Sequence, residues 1–478
     1  MQLLQPIEIN GMKVSNRVVV PAMVTRLSGE DGHVNQDIID RYVRYAKGEI
    51  GLIVVEAMAI HKSKSGPLLR ISDEDYVPGL TDLVSRIHDS SDSKVVPQII
   101  HFLKVARSGW RQTLDMLSLE DIELIVEQFG DAVARARAAG FDGAELHSAH
   151  AYTLASFLSR ANPRTDEYAG RTLEGRLTMI GRVMENVRKK VGTDFPVGVR
   201  YVADEYIKDG YTIGDAKLIG LRLAQLGFDY LSLSVGGKFE DAIHKQGEVP
   251  YPYTGYSGDR CMPGDWYPPA LHAHLGGEIK AFVNEKGYDV PVMVAGKISD
   301  PDIAERLVAD GVVDMVAIAR GLLADPDWVK KVKADRRDHI IQCDYCNWCK
   351  ILDGTHQKVR CTIWPKDALQ APEYALSNEV PAWPEAGAGL KGEYADGAVT
   401  LSWNGAVGSI AGYDIYRAED SGDIKQTKAV KARRWNDRTV MAGVKYRYYV
   451  RARDESGHPS APSDSVVVEP RMAPPQFA

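Results

Sequence analysis

Eight short apolar runs recur between residues 17 and 320, and their cadence constrains the fold more than any other feature of the sequence. Each run is rich in β-branched residues and continuously apolar rather than alternating, which is typical of strands buried on both faces. The runs are RVVVPA (17–22), GLIVVEA (51–57), VVPQIIH (95–101), DGAELH (142–147), PVGVRY (196–201), DYLSLS (229–234), PVMVAG (291–296) and VDMVAIAR (313–320).

Helical patterns separate most of these runs, for example at 36–48, 118–140, 173–192 and 215–227. Several of them end at glycine, namely Gly48, Gly140, Gly192 and Gly227, and Ser118 with Asp121 predicts a capping box at a helix start. Strands that alternate with helices predict an α/β fold, a (β/α)8 TIM barrel of parallel strands. A doubly wound open sheet is the alternative, and the regular cadence past the sixth strand favours closure.

The pattern changes after Cys361. Pro, Ala and Gly dominate the next stretch, and then alternating strands appear at 398–403, 413–418 and 444–454. Their spacing, with Trp403 early and Tyr446 placed as a tyrosine corner, predicts a small all-β sandwich that resembles a fibronectin type III domain. The expected divisions are a barrel over 1–335, a cysteine-rich segment over 336–366, a linker over 367–392 and the sandwich over 393–470.

Charge and hydropathy exclude several classes of protein. With 58 basic and 65 acidic residues the formal charge is −7, which lacks the basic surplus of a nucleic-acid binder. The N-terminal residues do not read as a secretory signal, and no apolar run reaches the length of a membrane span. We therefore expect a cytoplasmic chain that binds neither nucleic acid nor membrane.

Four of the five cysteines fall at Cys343, Cys346, Cys349 and Cys361. Three thiolates at three-residue spacing can wrap one face of an iron–sulfur cubane, and the fourth can close it. Four thiolates also suit zinc, although zinc ribbons usually present two separated CxxC pairs. The spacing favours a [4Fe–4S] cluster and leaves zinc open, whereas Cys261 is expected to be a free thiol.

Uncommon polar residues follow the predicted strands at the end where TIM barrels carry their active sites. The last two of these loops are where such barrels hold phosphate, so a phosphorylated cofactor is expected across the barrel mouth. The residues are Gln98 and His101, then His147, His150 and Tyr152, then Arg200, and finally Gly296, Ala319 and Arg320.

The stretch AGFDGAELHSAHAYTLASFLSRANPRTDEYAGRTLEGR (139–176) resembles the signature of Old Yellow Enzyme-type flavin reductases. SNRVVVPAM, GLIVVEA, PQIIH, DFPVGVRYVADE and MVAIARGLLADPDW match that family in order and spacing. With the cysteine cluster directly behind, the chain is similar to the iron–sulfur branch, which includes 2,4-dienoyl-CoA reductase and trimethylamine dehydrogenase. The resemblance covers roughly residues 1–365.

The resemblance implies FMN as cofactor and assigns roles to residues of the mouth. It implies that His147 and His150 bind a substrate carbonyl and that Tyr152 donates a proton. Gln98 would bond the pyrimidine ring, and Arg200 would stabilise the reduced flavin. Pro21, Ala22 and Met23 would line the isoalloxazine, with Ala57 near its reactive edge, and Gly296, Ala319 and Arg320 would hold the phosphate.

Two departures from the family and one open question remain. The stretch His101-Phe102-Leu103-Lys104 replaces the usual H-x-GR, which puts a flavin-contacting arginine in doubt. No strand–GxGxxG–helix unit is present, because GAVGSIAG (405–412) sits between sandwich strands. The aromatic loop over 250–267 could form a cation–π cage for a methylated ammonium, a hydrophobic lid or a subunit contact.

The expected function is reduction of an activated C=C bond of the enoate or enoyl-CoA type, with FMN and a [4Fe–4S] cluster. Electrons would come from a separate partner protein through the cluster, and a homo-oligomer is expected. An amine dehydrogenase or N-demethylase with the same cofactors is the first alternative. A non-catalytic electron-transfer subunit is the second, and the complete set of polar residues at the mouth argues against it.

Overall fold

The computed structural model describes residues 1–63, 66–375, 379–419 and 424–471 of the chain. The chain divides into two compact units. One consists of Met1–Leu322 together with Asp353–Val359, and the other of Leu323–Leu352 together with Arg360–Ala478. The barrel unit and the second unit are described in turn.

The barrel unit is a closed eight-stranded parallel barrel, which confirms the predicted fold. All eight apolar runs form barrel strands, and the last pairs with the first to close the sheet. A short antiparallel hairpin precedes them. In chain order the strands are β1 (Ile7–Ile9), β2 (Met12–Val14), β3 (Val18–Val20), β4 (Leu52–Ala59), β5 (Lys94–Ile100), β6 (Ala144–Ser148), β7 (Val197–Val202), β8 (Tyr230–Ser234), β9 (Val292–Ala295) and β10 (Met315–Ala317).

Helices alternate with the barrel strands, and their ends follow the sequence signals. Ser118 and Asp121 form the predicted capping box at the start of the third helix. Gly140, Gly192 and Gly227 take positive φ after their helices, whereas after the first helix Glu49 does so instead of Gly48. The helices are α1 (Gln36–Ala46), α2 (Val77–His88), α3 (Leu119–Ala138), α4 (Thr153–Leu158), α5 (Leu173–Val191), α6 (Ile213–Gln225), α7 (Gly255–Cys261), α8 (Ala273–Glu285), α9 (Pro301–Ala309), α10 (Arg320–Ala324), α11 (Trp328–Lys333) and α12 (Trp348–Gly354).

Short 3-10 helices lie at Gln2–Leu4, Glu74–Tyr76, Leu114–Met116 and Arg337–His339. In the described part of the chain, every helix is too short or too polar to cross a bilayer.

The β1–β2 hairpin closes the floor of the barrel. Ile9, Met12 and Val14 are buried in one apolar cluster with inward-facing residues of the barrel strands, including Val54 and Met293. A filled floor leaves the carboxyl ends of the strands as the open end, where the polar residues of the sequence lie.

The second unit ends in two antiparallel sheets that pack face to face, which confirms the predicted sandwich. Trp403 of one sheet and Tyr448 of the other lie in a single buried core. Tyr446 is fully buried, and its hydroxyl accepts a hydrogen bond from Met441 N at 2.9 Å, as a tyrosine corner requires. The strands are β11 (Lys391–Ala395), β12 (Ala398–Ser402), β13 (Gly412–Glu419), β14 (Lys425–Val430), β15 (Arg434–Asp437), β16 (Tyr446–Arg453) and β17 (Val466–Val468). One sheet has the order β11–β12–β15 and the other β14–β13–β16–β17.

Strand β11 begins at Lys391, inside the stretch predicted as linker. Residues 376–378 of that stretch, and 420–423 within the predicted sandwich, lie outside the described residues.

Candidate active site

The carboxyl ends of the first two barrel strands form an apolar side of the mouth. Pro21, Ala22 and Met23 follow β3, with Pro21 buried and the other two half-buried. Ala57 of β4 is 5% exposed and lies in an apolar cluster against which Val24 and Tyr152 pack. This side offers backbone and small side chains to a flat ligand.

A line of buried polar side chains crosses strands β5 to β8. Gln98 Nε2 donates to Glu145 Oε1 at 2.7 Å, and Arg200 donates to Ser232 Oγ at 3.1 Å. Burial raises the pKa of Glu145, and the nearby Arg200 guanidinium opposes that rise. Arg200 Nε is buried without a hydrogen-bond partner among the described residues. Such a donor fits an anionic or carbonyl group of a ligand in the mouth.

Glu145 is a site residue that the sequence reasoning missed. It is the acidic residue inside the run DGAELH, two positions before His147 and therefore on the same face of β6. A charged side chain within a continuously apolar run was the signal, because such a residue is rarely buried without a partner.

The structure brings His147, His150 and Tyr152 together at the end of β6. The ring of His147 lies 5.0 Å from that of His150 and 5.4 Å from that of Tyr152. His150 and Ala151 adopt positive φ, which makes the turn tight. The predicted trio is thus a single cluster of rings beside Arg200.

Burial controls the protonation of both histidines. It lowers the pKa of His147 to about 3, and the Arg200 charge acts in the same direction. The pKa of His150 is also well below its ordinary value, first because of burial and then because of His147 and Arg200. Its Nε2 is hydrogen-bonded to Ser234 Oγ at 2.6 Å. Both rings are therefore neutral near pH 7, and each carries one N–H donor.

Tyr152 keeps its proton. Burial, and after it the Asp353 carboxylate, raises the pKa of Tyr152 to about 12, and the Arg26 guanidinium opposes this rise. The hydroxyls of Tyr152 and Tyr253 influence each other, since Tyr253 lowers the pKa of Tyr152 and Tyr152 raises that of Tyr253. A buried, protonated phenol next to two neutral imidazoles is equipped to donate a proton.

The last two strands end in a small-residue corner. Gly296 has φ +130°, and a Cβ there would lie 2.4 Å from His272 Nδ1, so the corner admits only glycine. Ala319 is half-buried, and Arg320 is buried with one nitrogen donating to Pro263 O at 2.8 Å. Since β9 and β10 pair in parallel, these residues lie at adjacent strand ends.

His272 is a second residue that the sequence reasoning missed. It is 5% exposed, and its Nε2 is buried without a partner in the part of the chain that the structure describes. Burial lowers the pKa of His272 to about 4. It follows no predicted strand, and nothing in its local sequence indicated a role.

In the stretch 101–104, which departs from the family's H-x-GR pattern, His101 is bonded within the barrel unit and Lys104 is exposed. His101 Nδ1 is hydrogen-bonded to Thr153 Oγ1 at 2.7 Å, and burial lowers the pKa of His101 to about 3. Lys104, at the place of the family's arginine, is exposed. The side chain of Lys104 is therefore not a buried cation of the mouth.

Asp353 joins the mouth from a distant part of the sequence. Arg26 Nε donates to Asp353 Oδ1 at 2.8 Å, and the Tyr251 hydroxyl donates to Asp353 Oδ2 at 2.7 Å. The side chains of the Arg26–Asp353 pair are 11% and 17% exposed. Asp353 is thereby neutralised by a cation on one side and bonded to a phenol on the other.

The sequence of the barrel matches a known family. The model of the NADH:flavin oxidoreductase / NADH oxidase family matches residues 2–234 and 270–339, more than half of the chain. The chain belongs to this family. The barrel is therefore that of a flavin-dependent oxidoreductase, and its flavin is FMN.

Relatives of this flavin oxidoreductase carry several activities in their names. An NADH oxidase of Thermoanaerobacter brockii is 33% identical over 75% of this chain and 55% of its own length. An N,N-dimethylglycine/sarcosine dehydrogenase of Chromohalobacter salexigens is 29% identical over 79% of this chain and 54% of its own. A cinnamate reductase of Clostridium sporogenes is 29% identical over 78% of this chain and 59% of its own. The chain thus spans little more than half the length of these relatives.

Among solved structures, a 2-naphthoyl-CoA reductase in complex with 2-naphthoyl-CoA is similar, with a TM-score of 0.66 and 24% identity. The similarity covers 80% of this chain and 60% of that chain. At this level of identity it supports the fold of the flavin oxidoreductase barrel.

The aromatic loop falls between the two stretches that match the flavin oxidoreductase family. Its rings divide into two groups. The rings of Tyr251 and Tyr253 lie 4.9 Å apart, and Tyr253 lies 5.3 Å from His150. Tyr256 and Trp266 are 59% and 62% exposed. Only the first pair of these four rings is positioned to contact a ligand of the mouth.

Lys297 anchors the rest of that loop to the barrel. Its ammonium donates to Gly264 O and Asp265 O, each at 3.0 Å, and to Tyr267 O. Because Lys297 directly follows Gly296, the loop is attached beside the small-residue corner.

The four clustered cysteines of this flavin oxidoreductase lie in the second unit, and each is a half-buried free thiol, as is Cys261 of the barrel unit. Burial raises the pKa of Cys361, and Cys343, Cys346 and Cys349 raise it further. Cys343 and Cys361 pack against the same apolar cluster. Within the described residues, no three His, Cys, Asp or Glu side chains are arranged as ligands of a metal ion. Four thiols are nevertheless the donor set of an iron–sulfur cluster, and their spacing in the sequence fits one.

Proposed function

We propose that this flavin oxidoreductase reduces an activated C=C bond of an enoate or enoyl-CoA type of substrate. The observation that carries the proposal is the ring cluster at the end of β6. Two neutral buried imidazoles and a protonated phenol surround one position beside Arg200. N–H donors for an oxygen and an acid for a carbon are what reduction of a conjugated carbonyl compound requires.

The residues would share the work as follows. His147 and His150 bind the substrate carbonyl oxygen through N–H groups and stabilise the negative charge that builds on it. FMN, when bound, would supply the hydride for the β-carbon. Tyr152 gives its hydroxyl proton to the α-carbon, so that the double bond becomes a CH–CH single bond. Tyr253, which influences the pKa of Tyr152, would orient the Tyr152 hydroxyl.

We further propose which residues hold FMN. Pro21, Ala22 and Met23 line the ring system, with Ala57 near its reactive edge. Gln98 bonds the pyrimidine ring, and the unpartnered Arg200 Nε offers a donor and a positive charge to the same ring. Gly296, Ala319 and Arg320 bind the phosphate, which is supported by the buried guanidinium of Arg320, a charge-assisted donor that suits a phosphate.

We propose that Cys343, Cys346, Cys349 and Cys361 hold a [4Fe–4S] cluster through which a separate electron-carrying protein exchanges electrons with the barrel. The spacing of the cysteines and their mutual effect on thiol pKa support this. An anaerobic preparation should contain iron and acid-labile sulfide. Stoichiometric zinc without iron would overturn the cluster.

The second unit supports one further proposal, which concerns the kind of sandwich it forms. Trp403 in the core and the Tyr446 corner support a fibronectin type III-like sandwich. We also propose a homo-oligomer in the cytoplasm, which size-exclusion chromatography and cell fractionation would test.

A second candidate function is oxidation of a methylated amine with the same cofactors. The Tyr251–Tyr253 ring pair beside His150 favours it, because aromatic faces attract alkylammonium ions. The relative named as an N,N-dimethylglycine/sarcosine dehydrogenase supports it as well. Against it, the carboxylate nearest to these rings, Asp353, is already paired with Arg26.

One anaerobic experiment separates the two candidates. The flavin absorbance is followed while oxidised protein is mixed with a panel of methylated amines, and while dithionite-reduced protein is mixed with enoates and enoyl-CoA thioesters. We expect rapid reoxidation by at least one compound of the second panel and no bleaching by the first. Bleaching by an amine, with no reoxidation by any activated alkene, would establish the amine function instead.

A further inference from the structure

Strand β16 is buried on both of its faces. Tyr448 and Val450 point into the core between the two sheets. The opposite face carries Tyr449 and Arg451, which are only 7% and 0% exposed. Because the outer face of a sandwich normally meets water, another part of the same unit must cover this one.

The cysteine segment, residues 341–352 and 360–364, provides that cover. Tyr416 of β13 pairs directly with Tyr449 of β16, and their rings stack at 4.7 Å with an interplanar angle of 1°. Cys346 packs against this pair. The Tyr416 hydroxyl donates to Thr362 O at 3.3 Å, and Thr362 Oγ1 lies 3.6 Å from Cys346 Sγ. Two sandwich tyrosines therefore support the second cysteine and the residue after the fourth.

Asp344, next to the first cysteine, is held by the same strand. The fully buried Arg451 donates to both Asp344 Oδ1 and Gln342 O, the latter at 3.2 Å. The Tyr449 hydroxyl donates to Asp344 Oδ2. Removing one partner would leave a buried charge uncompensated beside Cys343, which is strongly unfavourable.

We propose that β16 is part of the iron–sulfur site: Arg451 and Tyr449 are positioning residues that hold Asp344, and with it Cys343 and Cys346, in place for the cluster. The inference rests on the proposed cluster and extends it to a strand about 100 residues further along the chain. The Arg451–Asp344 pair also affects the midpoint potential of the cluster. The positive charge of Arg451 favours the reduced cluster, and the negative charge of Asp344 disfavours it.

Opposite charge changes make the test specific. We expect Arg451→Met to release iron to a chelator about tenfold faster than wild type, the lower end of the effect of groups that orient metal ligands. Its cluster midpoint potential should fall, because the lone Asp344 carboxylate opposes reduction. Asp344→Asn should raise the cluster midpoint potential above that of wild type. Arg451→Lys, which keeps the positive charge, should have a potential close to that of wild type. The measurements are iron and sulfide per FMN, chelation kinetics and a potentiometric titration followed by electron paramagnetic resonance.

The matched control is Arg417→Met. Arg417 pairs with Asp437 at 2.9 Å within the same sandwich, and it also donates to Thr439 and Glu419 of that sandwich. This variant should lose fold stability without changing iron release or potential. If wild type contains no iron, the proposed cluster fails and this inference with it. If wild type contains iron and the Arg451 and Asp344 variants retain it at an unchanged potential, only the inference fails.

Discussion

At the scale of single residues, burial is what gives the mouth its chemistry. The same loss of water lowers the pKa of His147 and raises that of Tyr152, so that both groups are uncharged near pH 7. Arg200 is the charged residue beside them, and its guanidinium lowers the pKa of His147 further. A site of this kind stabilises negative charge on a ligand through neutral N–H donors and one cation, without a titration near neutral pH.

Replacing Tyr152 by Phe should lower kcat for an activated alkene by roughly 10²–10⁴-fold, the usual contribution of a general acid. Since the pKa of Tyr152 is about 12 and that of His147 about 3, wild-type kcat/KM should be level from pH 5 to 9. Loss of the acid would set in only as the pH rises towards 12. Steady-state rates across this pH range check both statements.

Tyr253→Phe is the control for that experiment, since Tyr253 contacts Tyr152 without being the proposed acid. Its effect on kcat should be clearly smaller. A wild-type rate that falls with a midpoint near 6.5 would show that a histidine titrates in the mouth and would contradict this account.

At the scale of secondary-structure elements, the barrel could be predicted and parts of the sandwich could not. Parallel strands buried on both faces leave continuous apolar runs, and all eight were visible in the sequence. Strands β14 (KQTKAV) and β15 (RWND) are sheet-edge strands with mostly exposed side chains. Their conformation depends on hydrogen bonds to β13 and β12, which no local pattern reports.

Some residues of the candidate site could likewise be predicted from the sequence, and others could not. Residues at strand ends, such as His147 and Arg200, follow from the barrel architecture once the strands are recognised. Asp353 does not, because its ion pair with Arg26 joins positions more than three hundred residues apart in sequence. His272 likewise depends on how the loop before α8 folds over Gly296.

Lys297 holds the loop between α7 and α8 through three hydrogen bonds, and the substitution Lys297→Met should make this loop more mobile. Three carbonyl groups would lose a charged donor, so amide hydrogen exchange over residues 262–268 should accelerate at least about tenfold in FMN-loaded protein. Hydrogen-exchange mass spectrometry measures this directly.

Lys280→Met is the matched control, since Lys280 on α8 pairs with Asp314 at 2.9 Å and donates to Gly311 O, and both of these partners lie outside this loop. Equal exchange in the two variants would mean that the loop is held by other contacts.

At the scale of the whole molecule, the two proposed cofactors belong to different units. The residues proposed for FMN all lie within Met1–Leu322, and the four clustered cysteines lie within the second unit. Each cofactor should therefore be removable without the other.

Cys343→Ser should eliminate the iron and leave FMN bound at about one per chain, because a hydroxyl is a poor substitute for a thiolate ligand. Dithionite-driven reduction of the substrate should persist, whereas reduction by the electron-carrying protein should be lost. Iron, sulfide and flavin assays on anaerobic protein give the answer. Cys261→Ser should retain both cofactors, and loss of FMN from the Cys343 variant would show that the two sites are not independent.

The assignment of Asp353–Val359 to the barrel unit has a consequence for how this protein can be divided. The chain changes unit after Leu322, after Leu352 and again after Val359, so neither unit is one uninterrupted stretch. A gene fragment that ends before Asp353 would deprive Arg26 and Tyr251 of their shared carboxylate. Exchange of the C-terminal sandwich with another domain, in evolution or in the laboratory, therefore requires a junction downstream of Val359 and a replacement domain that again provides partners for Asp344.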